Sequence, residues 1–139
     1  MEIKIYHTLP AEARQIRETV FVEEQHFQEE FDETDRRALH LVLYEEGKAA
    51  GTCRVFEGSD PGEYLAGRIA VLKPFRGRKF GSFLLKAAED QVRKAGGKKI
   101  RLHAQQRAAA FYEKQGYTAG KIVEYEEYCP HIWMWKNLS

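Results

Sequence analysis

The chain has 139 residues, 43% of them hydrophobic and 31% charged, which suits one domain with a hydrophobic core and is short for two. Its 22 Lys and Arg nearly balance its 21 Asp and Glu, so the net charge of +1 lacks the basic excess that nucleic-acid binding normally uses. No apolar run approaches the roughly 20 residues that span a bilayer, and the N-terminus lacks a signal-peptide pattern. We therefore expect a single domain over residues 1–139, located in the cytoplasm, with neither nucleic acid nor membrane as a partner.

The first third of the chain predicts a strand and a helix followed by an acidic segment. Residues 3–7 alternate as a strand, and Pro10 suits the first turn of an amphipathic helix that continues to about residue 25. Residues 26–37 are acidic and only lightly apolar, so we expect a mobile loop or a short helix near a ligand mouth.

The rest of the chain predicts a three-stranded meander and then alternating helices and strands. The meander strands cover residues 39–44, 50–56 and 64–72, and they are followed by a helix at 81–95, a strand at 99–104, a helix at 107–115 and final strands at 117–127 and 131–136.

Cys53 and Cys129 are the two cysteines, and they lie far apart with no CxxC or Cys/His ligand spacing. This arrangement predicts two reduced, buried thiols and supports neither a metal site nor a disulfide.

Residues 67–85, GRIAVLKPFRGRKFGSFLL, form the most informative stretch of the sequence. A buried strand ends at a proline, passes through a short basic loop and opens directly into an apolar helix. The first backbone N–H groups of a helix lack partners within it and sit at the positive end of its dipole, so they favour a bound phosphate. Arg76, Arg78 and Lys79 add charge, while Gly77 and Gly81 allow close approach of the backbone. We therefore predict a pyrophosphate-containing cofactor.

The order of strand, RGRKFGS (76–82), amphipathic helix and FYEKQGY (111–117) resembles the GNAT superfamily of acyl-CoA-dependent N-acetyltransferases over essentially the whole chain. Finer features resemble its small bacterial ElaA and YjcF-type branch: Arg17, VFVEEQ (20–25), LHAQ (102–105) and PHI (130–132). The resemblance implies an α/β (α+β) fold with a mixed, mostly antiparallel sheet of about six to seven strands flanked by about four helices. It also implies acetyl-CoA as cosubstrate and direct attack on the thioester, in a ternary complex, by a primary amine of a small molecule or a protein.

The resemblance assigns cofactor binding to the strand before the basic loop, to the loop and to two later positions: Ile69, Ala70, Val71, Arg76, Gly77, Arg78, Lys79, Phe80, Gly81, Ser82, Gln105 and Tyr112. Val71 would donate its N–H to the developing oxyanion, with the pantetheine paired along the same strand. Lys79 stands where the family pattern has glycine. If the backbone there is open to ordinary residues, we expect the lysine to change the tightness of binding more than its mode.

Tyr112 occupies the position of the family's usual general acid, which protonates the departing thiolate. A phenol has an ordinary pKa of about 10 and so can donate at neutral pH. The alternative is an aromatic side chain that only packs beside Phe111.

The strand at 64–72 contains no Asp or Glu, so the base that deprotonates the amine lies elsewhere or is water. Glu24 is the leading candidate, followed by His131 and His103, although each also has a purely structural interpretation. If the acidic residues between 23 and 35 rim the acceptor mouth, they favour a cationic amine; otherwise they solubilise a loop.

Trp133 and Trp135 share one face of the last strand, with Met134 on the other, and we expect the indoles to bury a core or a contact between two copies of the chain. An enzyme is one interpretation of the whole sequence, and a CoA-binding module that has lost catalysis is the other. Tyr112 favours the enzyme, whereas Lys79 and the missing strand carboxylate favour the binding module.

Overall fold

The computed structural model describes residues 1–138. Its seven strands are β1 (Glu2–Tyr6), β2 (Leu39–Glu45), β3 (Lys48–Glu57), β4 (Glu63–Val71), β5 (Lys99–Gln105), β6 (Thr118–Glu126) and β7 (Cys129–Asn137). Its α-helices are α1 (Ala11–Arg17), α2 (Phe80–Lys94) and α3 (Ala109–Lys114), and α1 continues directly as a π-helix over Glu18–Glu24. Short 3₁₀ turns cover Glu33–Arg36, Lys73–Phe75 and Gln106–Ala108.

The strands form one sheet in the order β1-β2-β3-β4-β5-β7-β6, in which every neighbouring pair is antiparallel except β4 and β5. The predicted mixed, mostly antiparallel sheet is therefore confirmed. The number of helices is corrected, because the described residues contain three α-helices rather than about four. Residues 26–37 form only one 3₁₀ turn, since they offer too few apolar side chains to bury a helical face.

Two hydrophobic clusters cover the two faces of the sheet, because successive side chains of a strand point to opposite sides. Leu84, Leu85 and Val92 of α2 pack with Leu41 and Ile100 in the larger cluster. The second cluster joins the first helix to β4 and the start of β7, through Ile16, Val20, Phe21, Phe27, Ala70 and Cys129. Both thiols are free and buried, as predicted, and burial raises the pKa of Cys53 to about 12.

Strands β4 and β5 pair over only three positions, from Glu63 opposite Lys99 to Leu65 opposite Arg101. Beyond Leu65 the two strands separate. On its other edge β4 stays paired with β3, apart from a bulge at which Arg68 adopts a left-handed conformation with φ of 52°. The middle of the sheet therefore contains a gap between two parallel strands.

A buried network of charges connects residues 30–35 to the first helix and to β3, and the 3₁₀ turn at Glu33–Arg36 agrees with the predicted alternative of a short helix. Arg17 is 1% exposed and donates to the carboxylates of Glu30 at 2.9 Å and Asp35 at 2.8 Å. Arg54 donates to Asp32 at 2.7 Å and to Asp35 at 2.9 Å. Burial alone would raise the pKa of Asp35, but the hydrogen bonds and charges of Arg17 and Arg54 outweigh it and hold that pKa well below its ordinary value.

Candidate active site

The gap between β4 and β5 opens into a cavity of about 920 Å³. Its walls come from both strands, from the end of the π-helix, from α3 and from the turn between β6 and β7. Several sequence-predicted site residues line it together: Glu24, Ile69, Ala70, Val71, Arg76, His103, Gln105, Tyr112 and His131.

The edge of β4 presents backbone groups to this cavity. Leu72 donates its N–H to the carbonyl of Ala50 at 2.8 Å, and backbone groups alternate in direction along a strand, so the Val71 N–H points away from β3 and into the gap. The Val71 carbonyl points the same way and accepts from Arg76 Nε at 2.8 Å. This edge could pair with an extended, amide-containing ligand.

A second, smaller cavity of about 210 Å³ lies at the start of α2. It is lined by most of the predicted loop: Arg76, Gly77, Lys79, Phe80, Gly81 and Ser82. The first bond of the helix runs from the Phe83 N–H to the Lys79 carbonyl at 3.2 Å, so the N–H groups before Phe83 have no partner inside the helix. These groups suit an anion, as the sequence predicts.

The two arginines of the loop point at neighbouring acids. Arg76 Nη2 donates to Glu24 at 2.7 Å, and Arg78 pairs with Glu45 on β2. Lys79 makes no ion pair within residues 1–138, and its ammonium remains the loop's unpaired cation. The backbone of Lys79 is left-handed, with φ of 65° and ψ of 19°, so the condition attached to the prediction for Lys79 is not met.

Tyr112 lies near the end of α3 and is half-buried in the wall of the larger cavity. Its ring packs edge-on against Phe111 and Tyr117, at centroid distances of 5.0 and 6.0 Å. Its hydroxyl makes no hydrogen bond within the part of the chain that the structure describes. Burial, with a smaller contribution from Cys53, raises the pKa of Tyr112 above its ordinary value. The phenol therefore keeps its proton at neutral pH and has it free to donate.

A chain of side-chain hydrogen bonds crosses the mouth of the gap. Arg107 Nε donates to Gln105 Oε1, and Gln105 Nε2 donates to Gln25 Oε1, each at 2.8 Å. Gln25 follows the π-helix directly, and its carbonyl accepts from the Tyr128 hydroxyl. The end of the π-helix is thus connected to β5 and to the β6–β7 turn.

His103 and His131 lie next to each other in the cavity wall, with ring centroids 5.0 Å apart. Both face Glu126, whose Oε2 accepts from His103 Nδ1 and lies 3.8 Å from His131 Nε2. Trp133 stacks on His103, with ring centroids 4.5 Å apart, and lines the cavity instead of a core, while the alternative of a contact between two copies of the chain stays a prediction. Met134, on the opposite face of β7, fills the core instead.

Sequence analysis missed Glu126 and Gln25 as residues of this site. Glu124 and Glu126 are two residues apart on β6, and β6 pairs with β7 so that Glu124 lies opposite His131. This spacing was a usable signal, because it puts both carboxylates on one face. Gln25 had no comparable signal, since its contact with Gln105 depends on how the π-helix ends.

The family model of the acetyltransferase (GNAT) family matches residues 4–117 of this chain. The chain belongs to the GNAT family. It is 35% identical over 127 residues to the uncharacterised N-acetyltransferase YjcF of Bacillus subtilis (strain 168), with 88% of each chain covered. The structure of Escherichia coli ElaA superposes on this GNAT enzyme with a TM-score of 0.85 at 25% identity, covering 97% of this chain and 98% of ElaA. The predicted resemblance to the ElaA and YjcF-type branch is confirmed.

A more distant structure shares the fold. It is an aminoglycoside 6′-N-acetyltransferase complexed with coenzyme A, with a TM-score of 0.78 at 16% identity over 99% of this chain and 97% of that one. This likeness shows the fold, whereas the family match and the similarity to YjcF show that the protein is an N-acetyltransferase.

Within residues 1–138, no helix is long and apolar enough to cross a membrane. The same residues contain no group of three or more His, Cys, Asp or Glu side chains placed to hold a metal ion.

Proposed function

We propose that this GNAT protein transfers an acetyl group from acetyl-CoA to a primary amine within a ternary complex. The observation that carries the proposal is that the two cavities are neighbours: Val71 and Arg76 line both, so the open edge of β4 lies beside the N-terminus of α2. One extended molecule with an amide-containing arm and a pyrophosphate fits both surfaces. The coenzyme A bound by the aminoglycoside enzyme of the same fold has these two parts.

Each predicted residue then has a chemical task. Bound acetyl-CoA supplies the activated thioester carbonyl. The Val71 N–H, which points into the gap, stabilises negative charge on the carbonyl oxygen. The Tyr112 hydroxyl, protonated and without a partner in residues 1–138, donates to the leaving sulfur.

We favour His131 over Glu24 as the base that deprotonates the amine. The carboxylate of Glu24 already accepts a hydrogen bond from Arg76, so an incoming amine would compete with the guanidinium for it. His131 lines the same cavity, and no guanidinium or ammonium group within residues 1–138 donates a hydrogen bond to it.

The cofactor assignment is tested by isothermal titration calorimetry with CoA and with pantetheine, which lacks the phosphates. We expect Arg76→Glu to weaken CoA binding at least about tenfold and to leave pantetheine binding nearly unchanged, because the substitution reverses a charge beside the phosphate site. Arg93→Glu, at the far end of α2, is the matched control and should bind CoA as the wild type does. Equal losses for both ligands in Arg76→Glu would contradict this location of the phosphates.

The reaction is tested by following free thiol release from acetyl-CoA with a panel of primary amines, including lysine, spermidine and an N-terminal peptide amine. Amine-dependent release is expected. A binding module without catalysis, the second candidate, is favoured by the absence of Asp and Glu from residues 64–71 of β4, and it would bind CoA with no release for any amine.

A further inference from the structure

We propose that Glu126 is a positioning residue that enables His131 to accept the proton of the acceptor ammonium. This inference rests on the proposed function and deepens it, since it adds a carboxylate that the sequence did not indicate. Three observations support it: the hydrogen bonds of His131, the position of Glu126 between two imidazoles, and the partners of the other carboxylates in the cavity.

The hydrogen bonds of His131 fix which ring nitrogen is available. His131 is 5% exposed, and its Nδ1 lies 2.9 Å from the carbonyl oxygen of Cys129. A carbonyl only accepts, so Nδ1 carries a hydrogen and donates it, which leaves the lone pair of the neutral ring on Nε2. Nε2 makes no hydrogen bond within residues 1–138.

The two imidazoles differ in their access to the cavity. His103 Nε2 is a buried atom without a hydrogen-bond partner, whereas His131 Nε2 keeps contact with the cavity that its side chain lines. Of the two rings, His131 is therefore the one whose lone pair an incoming amine can reach.

Glu126 is placed to respond when His131 gains a proton. Its Oε2 lies 3.8 Å from His131 Nε2 and also accepts from His103 Nδ1. The other charged group that faces this pair is Glu124, whose Oε1 lies 3.2 Å from His103 Nε2, while Phe27 and Trp133 provide uncharged walls. Because the rings are 5.0 Å apart, two imidazolium charges would repel, and the carboxylate of Glu126 lies where it offsets one such charge.

Most other carboxylates that line the cavity already have partners, and Glu29, which also lines it, forms no ion pair with either imidazole. Glu24 accepts from Arg76, Glu30 pairs with Arg17 and Arg68, and Glu127 accepts from the backbone N–H groups of Gln28 and Glu29. Glu126 is thus the carboxylate whose position matches the charge that appears during the reaction.

The proton and electron pairs balance as follows. The acceptor ammonium gives one proton to His131 Nε2, and the resulting imidazolium is stabilised by Glu126. The freed amine lone pair forms the C–N bond at the thioester carbonyl as the C–S bond breaks. The thiolate takes the proton of Tyr112, the newly bonded nitrogen passes its extra proton to the Tyr112 phenolate, and the His131 imidazolium releases its proton to solvent.

The first test uses the protein alone and does not depend on activity. NMR follows the imidazole C–H signals of His131 and His103 against pH in the wild type, in Glu126→Gln and in Glu113→Gln, an exposed control on α3. Without the carboxylate charge, protonation of the pair becomes less favourable, so the midpoint of His131 should move to lower pH by on the order of one unit in Glu126→Gln. It should stay unchanged in Glu113→Gln. An unmoved His131 midpoint in a folded Glu126→Gln protein overturns the proposal.

The second test measures kcat/KM against pH with the fastest amine of the panel. In Glu126→Gln we expect the acid limb to move to lower pH and the plateau to fall about tenfold, because the base becomes weaker, while the Kd for CoA stays the same. His131→Gln should abolish the acid limb. A purely structural role for Glu126 would lower the rate equally at every pH, and that result overturns the proposal. If the wild-type protein does not bind CoA, the proposed function is refuted. The NMR titration then still tests whether Glu126 acts on His131.

Discussion

Tyr112 combines a protonated hydroxyl with an open position in the cavity wall, which is unusual because buried phenols commonly find a hydrogen-bond partner. Tyr117, which follows five residues later and is buried in the core, shows the common arrangement, since its hydroxyl donates to Glu89 at 2.9 Å. The contrast favours a functional hydroxyl at Tyr112 over the packing interpretation.

Tyr112→Phe should therefore lower kcat by about 10²-fold or more and hardly change the affinity for CoA, because the ring packing is kept while the donated proton is lost. Steady-state kinetics and calorimetry measure the two effects. Tyr125→Phe, on exposed β6, is the control and should retain full activity. If chemistry limits the rate and Tyr112→Phe keeps the wild-type kcat, another group protonates the sulfur.

Lys79 carries two separable properties, a left-handed backbone and an unpaired ammonium. Lys79→Ala removes the charge and keeps the strain, whereas Lys79→Gly removes both. We expect the glycine variant to be more stable than the alanine variant by about 1 kcal/mol, and both to bind CoA about two- to fivefold more weakly than the wild type. Urea denaturation and calorimetry compare them. Tighter CoA binding by Lys79→Gly would show that backbone strain, not charge, dominates at this position.

At the scale of elements, local patterns predicted the sheet and the loop better than the contacts between distant segments. The hairpin of β2 and β3, the strand–loop–helix at residues 67–85 and the final β6–β7 pair follow from alternation, turn residues and helix periodicity. The behaviour of residues 26–37 could not be read in this way. The sequence predicts solvent-exposed acids there, but Asp35 and Asp32 pair with the buried Arg17 and Arg54, which are distant in the chain.

The candidate site was partly predictable for the same reason. The basic loop at residues 76–82 is a continuous segment, so its charge and its position before α2 can be read from consecutive residues. The pairing of Glu126 with His131 and His103 depends on the register of β5, β7 and β6, which no single segment specifies. The left-handed Lys79 was missed because a lysine does not indicate such a backbone in the way that a glycine does.

Close packing between β3 and α2 is a further feature of the elements. A Cβ at Gly51 would lie 2.9 Å from Leu84 Cδ1 and 3.0 Å from the carbonyl oxygen of Ala70. Gly51→Ala should therefore destabilise the protein by about 1–3 kcal/mol, because neither the buried leucine nor the backbone can move freely. Gly67→Ala on β4 is the control, since a Cβ there meets nothing within 4 Å. Urea denaturation that gave equal stability for both variants would contradict this account.

At the scale of the whole molecule, the buried charges join the first helix, residues 30–35, β3 and β4, and this makes stability depend on pH. Asp35 has a lowered pKa in the folded state, so it stabilises the protein above its ordinary value of 3.8, and this contribution is lost as the pH falls through the folded value. Burial raises the pKa of Glu30 despite Arg68 and Arg17, so its contribution has the opposite sign and is lost as the pH rises above its ordinary value of 4.5.

Asp35→Asn should cost about 3–5 kcal/mol at neutral pH, because Arg17 and Arg54 lose a buried charge partner. It should also reduce the fall in unfolding free energy between about pH 5 and pH 2. Denaturant titrations at several pH values measure both effects, with Asp90→Asn, at an exposed position of α2, as the control. An unchanged acid slope would assign the pH dependence to other carboxyls.

The separation of β4 from β5 also has a consequence for amide hydrogen exchange. Strands in the middle of a sheet normally protect their amides on both sides, yet the Val71 N–H faces the gap while the adjacent Leu72 N–H is bonded to Ala50. In the free protein, deuterium should therefore enter Val71 as readily as it enters a solvent-facing strand, while Leu72 exchanges slowly. Saturating CoA should slow the exchange of Val71 and leave Leu72 unaffected. One edge of this central strand should therefore exchange like the outer edge of a sheet. Bound CoA would protect that edge in the way that a neighbouring strand does.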